Sequence, residues 1–175
     1  YVDHSSFGAA IICRVLESHG YKVCMIAQPD WHSTDDFKRF GEPRLAFLVS
    51  AGNIDSMVNH YTVAKKRRSK DAYSPAYKNA AIIIGGIEAS LRRLSHYDYW
   101  DNKVRRSILL DSGADLLLYG MGEHQIIEMA DALDSGLPVS ELTFLRGTVY
   151  KTRDRERIGD CIWLPNYTET ASDKN

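Results

Sequence analysis

Three observations predict a doubly wound, mostly parallel α/β sheet. Strand-like and helix-like apolar patterns alternate along the chain, the strands are short continuous apolar runs, and small Gly-bearing turns follow several of them. Continuous apolar runs suit strands covered on both faces, and right-handed crossovers place helices on those two faces, giving three layers, α/β/α.

The elements follow in order. Helical spacing begins after polar Asp3, His4, Ser5 and Ser6, with Phe7, Ile11 and Val15 flanked by Ile12 and Leu16, and ends at Gly20. Residues 22–27 (KVCMIA) then read as a buried strand, stopped by Pro29 and Asp30. Ser33, Thr34, Asp35 and Asp36 open a short helix with acids in its first turn, which closes near Gly41. After Pro43 comes a second strand, residues 44–50 (RLAFLVS). The clearest strand is 80–84 (AAIII), running into Gly85-Gly86 and a helix over 87–94. A further helix around 102–111 is expected to lead into a strand at 115–119 (DLLLY). Gly120-Met121-Gly122 then turns into a helix over 123–133, with Ile126, Ile127, Ala130 and Leu133 as its apolar stripe. From about residue 151 the chain turns polar and reads as a linker or strap.

At 175 residues a single compact unit buries roughly 70% of its unfolded surface, so one core suffices. The net charge of −1 excludes a strongly basic coat protein or an acidic tail, although balance over the whole chain hides local patches. No apolar run approaches the length of a membrane span and the first residues do not resemble a signal peptide, so a cytoplasmic location is expected. Cys13, Cys24 and Cys161 are odd in number and irregular in spacing, which suits neither a disulfide framework nor a zinc or redox pair. They read as reduced, partly buried thiols.

Ligands in such sheets bind beyond the carboxyl ends of the strands. That rule draws attention to Ser50-Ala51-Gly52-Asn53, Gly85-Gly86-Ile87-Glu88-Ala89 and Gly120-Met121-Gly122-Glu123. Glycine there admits close backbone approach, although such turns also need glycine for geometry alone. None matches a Walker A loop or the full dinucleotide fingerprint. A polar stretch holding Asn53, Asp55, Ser56, Asn59, His60 and Tyr61 runs into Lys65-Lys66-Arg67-Arg68. These cations could clamp phosphates or an RNA backbone, or form a solvated loop. A second concentration holds Arg92, Arg93, His96, Tyr97, Asp98, Tyr99, Trp100 and Asp101 before Arg105 and Arg106. Aromatics interleaved with charges suggest an interface: a ligand lip, a dimer contact or, preferred here, a docking face for another domain. His96 beside Asp98 is either a general base or a structural histidine. No catalytic triad and no metal-ligand cluster can be defended from spacing, so the residues alone describe a ligand-binding α/β domain without an evident catalytic centre.

Four blocks carry a family resemblance. They are residues 3–10 with 16–23, residues 50–62 through Lys65-Lys66-Arg67-Arg68-Ser69, Gly85-Gly86-Ile87-Glu88-Ala89-Ser90-Leu91-Arg92-Arg93, and His96-Tyr97-Asp98-Tyr99-Trp100-Asp101 with Arg105-Arg106-Ser107. In these the chain resembles the N-terminal domain of YgiQ-type radical S-adenosylmethionine (radical SAM) proteins, from its start to about residue 154. The resemblance implies a Rossmann-like domain, similar to the cobalamin-binding domains of other radical SAM enzymes, followed by a barrel-type core. That core carries a Cys-x-x-x-Cys-x-x-Cys motif holding a 4Fe-4S cluster whose open iron binds S-adenosylmethionine. The motif does not occur here, so cluster and cofactor are implied for the full-length protein and none is expected in these residues. Asp3-His4-x-x-x-Gly8 is one residue off the usual cobalamin-ligand pattern, so no cobalamin site is assigned.

On this reading residues 1–153 form the domain and 154–175 a linker or strap toward the radical SAM core of the same chain. The family continues after Pro75 through a glycine-rich basic stretch, whereas Pro75 here meets Ala76, which implies an omitted segment between 75 and 76. The strand that precedes Tyr1 in the family is also missing, so the sheet should be one strand short or completed by residues outside this sequence. Asn53, Asp55, Ser56, Asn59 and His60 are expected to point into a substrate channel. Gly85, Gly86, Glu88 and Ala89 form its second wall, and Lys65, Arg67 and Arg68 receive an anionic substrate. Arg92, Arg93, Tyr97, Asp98 and Trp100 are the expected interdomain contacts. The alternative is a non-catalytic module binding an anionic nucleotide, cobalamin or RNA, and a weaker one is a dimerisation domain.

Overall fold

The computed structural model describes residues 7–27, 29–30, 32–50, 80–99, 101–154, 156 and 158–172. Its main sheet has four strands in the order β1 (Ala46–Ser50), β2 (Ala81–Gly85), β5 (Leu116–Leu118), β6 (Thr148–Tyr150). The first three are parallel, with Ser50 beside Gly85 and Ile84 beside Leu117, and β6 closes the edge antiparallel, pairing Leu118 with Thr148.

Period-two alternation in β5 shows why both faces are covered. Leu116 and Leu118 enter one core with Ile83, Leu16, Ile126, Met129, Ala130, Leu142 and Leu145. Leu117 enters the other with Ala89, Leu109 and Ala114. Helices α1 (Gly8–Ser18) and α5 (Glu123–Asp134) cover the first face, and α3 (Ile87–Leu91) and α4 (Ile108–Ser112) the second. The fold is therefore the three-layer, mostly parallel α/β architecture that the alternating pattern predicts.

Local chemistry sets most boundaries. In α1 the buried stripe is Ile12, Val15 and Leu16; Phe7 and Ile11, expected in that stripe, are 70% and 44% exposed. The helix ends where the amides of Gly20 and Tyr21 bond the carbonyls of Glu17 and Leu16, with Gly20 at φ 86°. The short α2 (Asp35–Lys38) closes similarly, with the Gly41 amide on Lys38 O. In α4, Ser107 Oγ accepts the Leu109 amide at 3.3 Å and Gly113 supplies the left-handed cap. Tyr21 and Arg44 tie the start of the sheet layer to α5 by bonding Asp131 and Asp134.

Two expectations fail. Residues 22–27 form no ladder with any described strand, because only Val23 of its first residues finds core packing, while Cys24 and Met25 are exposed. The helix expected around 102–111 is replaced by a hairpin, β3 (His96–Asp98) and β4 (Lys103–Arg105), followed by α4. Asp98 causes this: 5% exposed, its carboxylate accepts the Asp101 amide at 3.1 Å and faces Arg105 Nε at 3.4 Å, while Asn102 at φ 51° closes the loop. The polar tail carries a last helix, α6 (Tyr167–Ser172), which packs on β4. Asn166 and Glu169 start that helix with reciprocal bonds, 3.0 Å from the Glu169 amide to Asn166 Oδ1 and 2.8 Å from the Asn166 amide to Glu169 Oε2.

Cys13, Cys24 and Cys161 are free thiols, and the last two are exposed, contrary to the expectation of partial burial. Burial, with Glu17 nearby, pushes the Cys13 thiol above its usual range. Among the described residues no helix is long and apolar enough to cross a membrane.

Candidate functional site at the carboxyl edge of the sheet

Parallel pairing brings the ends of β1, β2 and β5 to one edge, so Ser50, Gly85-Gly86 and Gly120 meet there, as the strand-end rule predicts. Gly86 sits at φ 93°, ψ −177°, a conformation open essentially to glycine alone. A Cβ on it would lie 3.0 Å from Ser50 Oγ, and one on Gly85 would lie 3.5 Å from the Leu118 carbonyl. The two later turns are stitched together by Ser90. Its hydroxyl donates to Gly86 O at 2.8 Å and accepts the Gly120 amide at 3.1 Å.

On α3, Glu88 pairs with Arg92 one turn away at 3.5 Å, both side chains largely shielded at 12% and 21% exposure. Arg93 lies with its guanidinium 5.0 Å from the centre of the Tyr119 ring and donates to Ser90 O. Ala89 is packed in the second core, so its methyl does not line the edge. Asp98 is held inside the hairpin and Tyr97 is 60% exposed, donating its hydroxyl to Asn102. The His96 ring lies 3.1 Å from the Leu94 carbonyl through Nδ1. Asn53, Asp55, Ser56, Asn59, His60, Lys65, Arg67, Arg68 and Trp100 lie outside the described residues, as do Asp3 and His4.

Sequence reasoning missed a cavity of about 340 Å³ at the same edge, lined by His124, Gln125, Glu128, Phe144 and Arg146. Antiparallel β6 creates it by returning residues 144–147 to the end of β5, where the Tyr119 amide bonds Gly147 O at 2.9 Å. Gly147 is at φ 73°, and a Cβ there would fall 2.5 Å from Gln125 Nε2, so this glycine makes room for the Gln125 side chain. Gln125 Oε1 is buried without a hydrogen-bond partner among the described residues. Its one sequence signal is Gly147 itself.

A 4Fe-4S cluster needs three converging thiolates. Among the described residues no three His, Cys, Asp or Glu side chains could hold a metal ion, and the three cysteines lack the required spacing. The residues present do not fit a cluster.

The family described as Radical SAM N-terminal matches the chain in two pieces, residues 1–77 and 75–175. A UPF0313 protein of Clostridium perfringens (strain ATCC 13124) is 55% identical over 99% of this chain, and one of Clostridium botulinum (strain 657) is 51% identical over the same share. The chain spans 30% of the length of each, and the alignment to the first runs over 196 positions, so that relative carries residues this chain lacks. No solved structure matches. With its whole length matched, its strand ends gathered as the fold requires and half its residues shared with UPF0313 proteins, the chain belongs to the Radical SAM N-terminal family.

Proposed function

We propose that this chain is the N-terminal domain of a cytoplasmic radical SAM enzyme and that it supplies one wall of the substrate channel. The 4Fe-4S cluster and S-adenosylmethionine are bound by the remaining core of the full-length protein. The observation that carries this reading is the meeting of Ser50, Gly86 and Gly120 at one sheet edge in a chain of this family. Glycines there let a ligand approach backbone, and the residues that follow Ser50 in sequence, Asn53, Asp55, Ser56, Asn59 and His60, supply polar contacts. Lys65, Arg67 and Arg68 receive an anionic group of the substrate. Gly85, Gly86 and Glu88 form the opposite wall, and Arg92, Arg93, Tyr97 and Trp100 contribute toward the core.

Full-length protein reconstituted with iron and sulfide should cleave S-adenosylmethionine reductively. Asn59→Ala and Arg68→Ala should lower substrate turnover more than cofactor cleavage. Equal loss of both overturns the channel assignment, and absence of cleavage by the unsubstituted protein favours a non-catalytic module for an anionic nucleotide, cobalamin or RNA.

A further inference from the structure

We infer that the carboxyl edge of the sheet is an apolar docking face, and that its occupant is the larger remaining part of the same polypeptide. The inference rests on the reading of this chain as one domain of a longer enzyme.

Topology places three large apolar side chains on that edge. Ile87 lies two residues past the end of β2, Met121 three past the end of β5, and Phe144 four before the start of antiparallel β6, whose first residue pairs with the last of β5. They are 67%, 85% and 64% exposed. The same segments bury their inward residues almost completely: Ala89 at 4%, Leu118 at 8%, Ile126 at 2% and Leu142 at 0%. Apolar residues are exposed elsewhere too, Phe7, Phe40 and Ile162 among them, but Ile87, Met121 and Phe144 share the edge at which the strand ends meet. Leu91, one turn along α3 from Ile87, extends the patch at 71% exposure.

His124, Glu128 and Arg146 line the cavity beside Phe144. Apolar residues flanked by polar and charged ones are the anatomy of an interface. A folded chain that left this surface in water would carry an association hazard.

The choice of occupant follows from length. The matched relatives are more than three times as long as the region that this chain covers. The remainder is tethered to every copy, at an effective concentration that a second molecule does not reach. Inside the domain Arg92 pairs with Glu88, Arg93 covers Tyr119 and Asp98 is buried, so the docking face is built from the exposed apolar residues.

The test uses full-length protein carrying a photoreactive benzoylphenylalanine at Met121 or Phe144, with Glu42, exposed ahead of β1, as the control position. Illumination followed by peptide mapping should link both edge positions to residues of the same polypeptide outside this region, severalfold above the Glu42 yield. Links joining two copies, or yields no higher than at Glu42, overturn the inference. Mapping requires no cluster, so the outcome is separable from the cofactor-cleavage assay. Correct links without cleavage leave the docking face standing and remove the enzymatic reading, and cleavage with control-level links does the reverse.

Discussion

Replacing Gly86 by Ala tests the backbone geometry on which the strand-end site depends. At φ 93° and ψ −177° an L side chain is strained whatever space surrounds it, a cost of about 1–3 kcal/mol. The new methyl would also meet Ser50 Oγ at 3.0 Å. Ser50 is exposed, so its hydroxyl can rotate away, and the backbone carries the larger part of the cost. For a domain of this size each kcal/mol moves the melting temperature by roughly 2–4 °C, so the expected drop is about 2–12 °C. Scanning calorimetry of the protein reads it, with Gly8→Ala as the matched control. Gly8 opens α1 with no atom within 4 Å of its hypothetical Cβ, so alanine there should be neutral or stabilising by up to about 1 kcal/mol. Ser50→Ala combined with Gly86→Ala should restore little. Equal melting temperatures for Gly86→Ala and the unsubstituted protein, or full rescue by the second substitution, would refute backbone strain as the reason for glycine.

Further outcomes are expected. Ser90→Ala removes both bonds that join the second and third turns, costing about 1 kcal/mol each at most, and hydrogen exchange at the Gly120 amide should quicken; unchanged exchange would contradict the bridging role. Asp98→Asn should destabilise by about 1–3 kcal/mol by weakening its bond to Arg105, with the largest gain in exchange at β3 and β4; a gain confined to other elements would exclude the buried carboxylate as the organiser of the hairpin. Tyr21, whose hydroxyl donates to Asp131, has its phenol pushed up to about 12 from an ordinary value near 10. The folded state therefore holds that proton more tightly, and the associated stability is fully present below pH 10 and lost as pH rises through 12. An ultraviolet titration difference between the protein and Tyr21→Phe should show the late phenol, and Asp131→Asn should bring it back toward 10; an ordinary value in the unsubstituted protein would dismiss the Asp131 bond.

How much of this was legible depended on whether a contact was local. Strands β2 and β5 were readable because the apolar runs at 80–84 and 115–119 suit burial on both faces, and Gly85-Gly86 and Gly120 marked the turns where the backbone needs positive φ. The hairpin was not readable. Val104, Ile108 and Leu109 among arginines look helical, and only the burial of Asp98 against residues three and seven positions on turns the chain back. Strand β6 has three residues and exists through its partner β5. The helix at 167–172 starts at the reciprocal Asn166 and Glu169 pair and has no apolar stripe, so no periodicity marked it. At the site, the glycines were visible in sequence; Ser90 as a bridge and the cavity beside Arg146 were not, because each joins segments brought together only by the sheet.

The charge density of residues 88–111 has an energetic reason within the domain. Among the described residues the second core has Ala89, Leu109, Ala114 and Leu117 as buried members, a small set beside the first core. Polar contacts add to it: Glu88 with Arg92, Arg93 over Tyr119, Arg105 with Asp98 and Asp101, and Arg106 with Asp111 at 2.6 Å. Residues 88–111 are therefore rich in charge because they hold themselves together, and truncating Arg92 or Arg105 would lower stability and activity at once. Substitutions at Met121 or Phe144 remove no such internal contact. A loss of activity there with an unchanged melting temperature would come from the edge, which separates a docking surface from the scaffold that presents it.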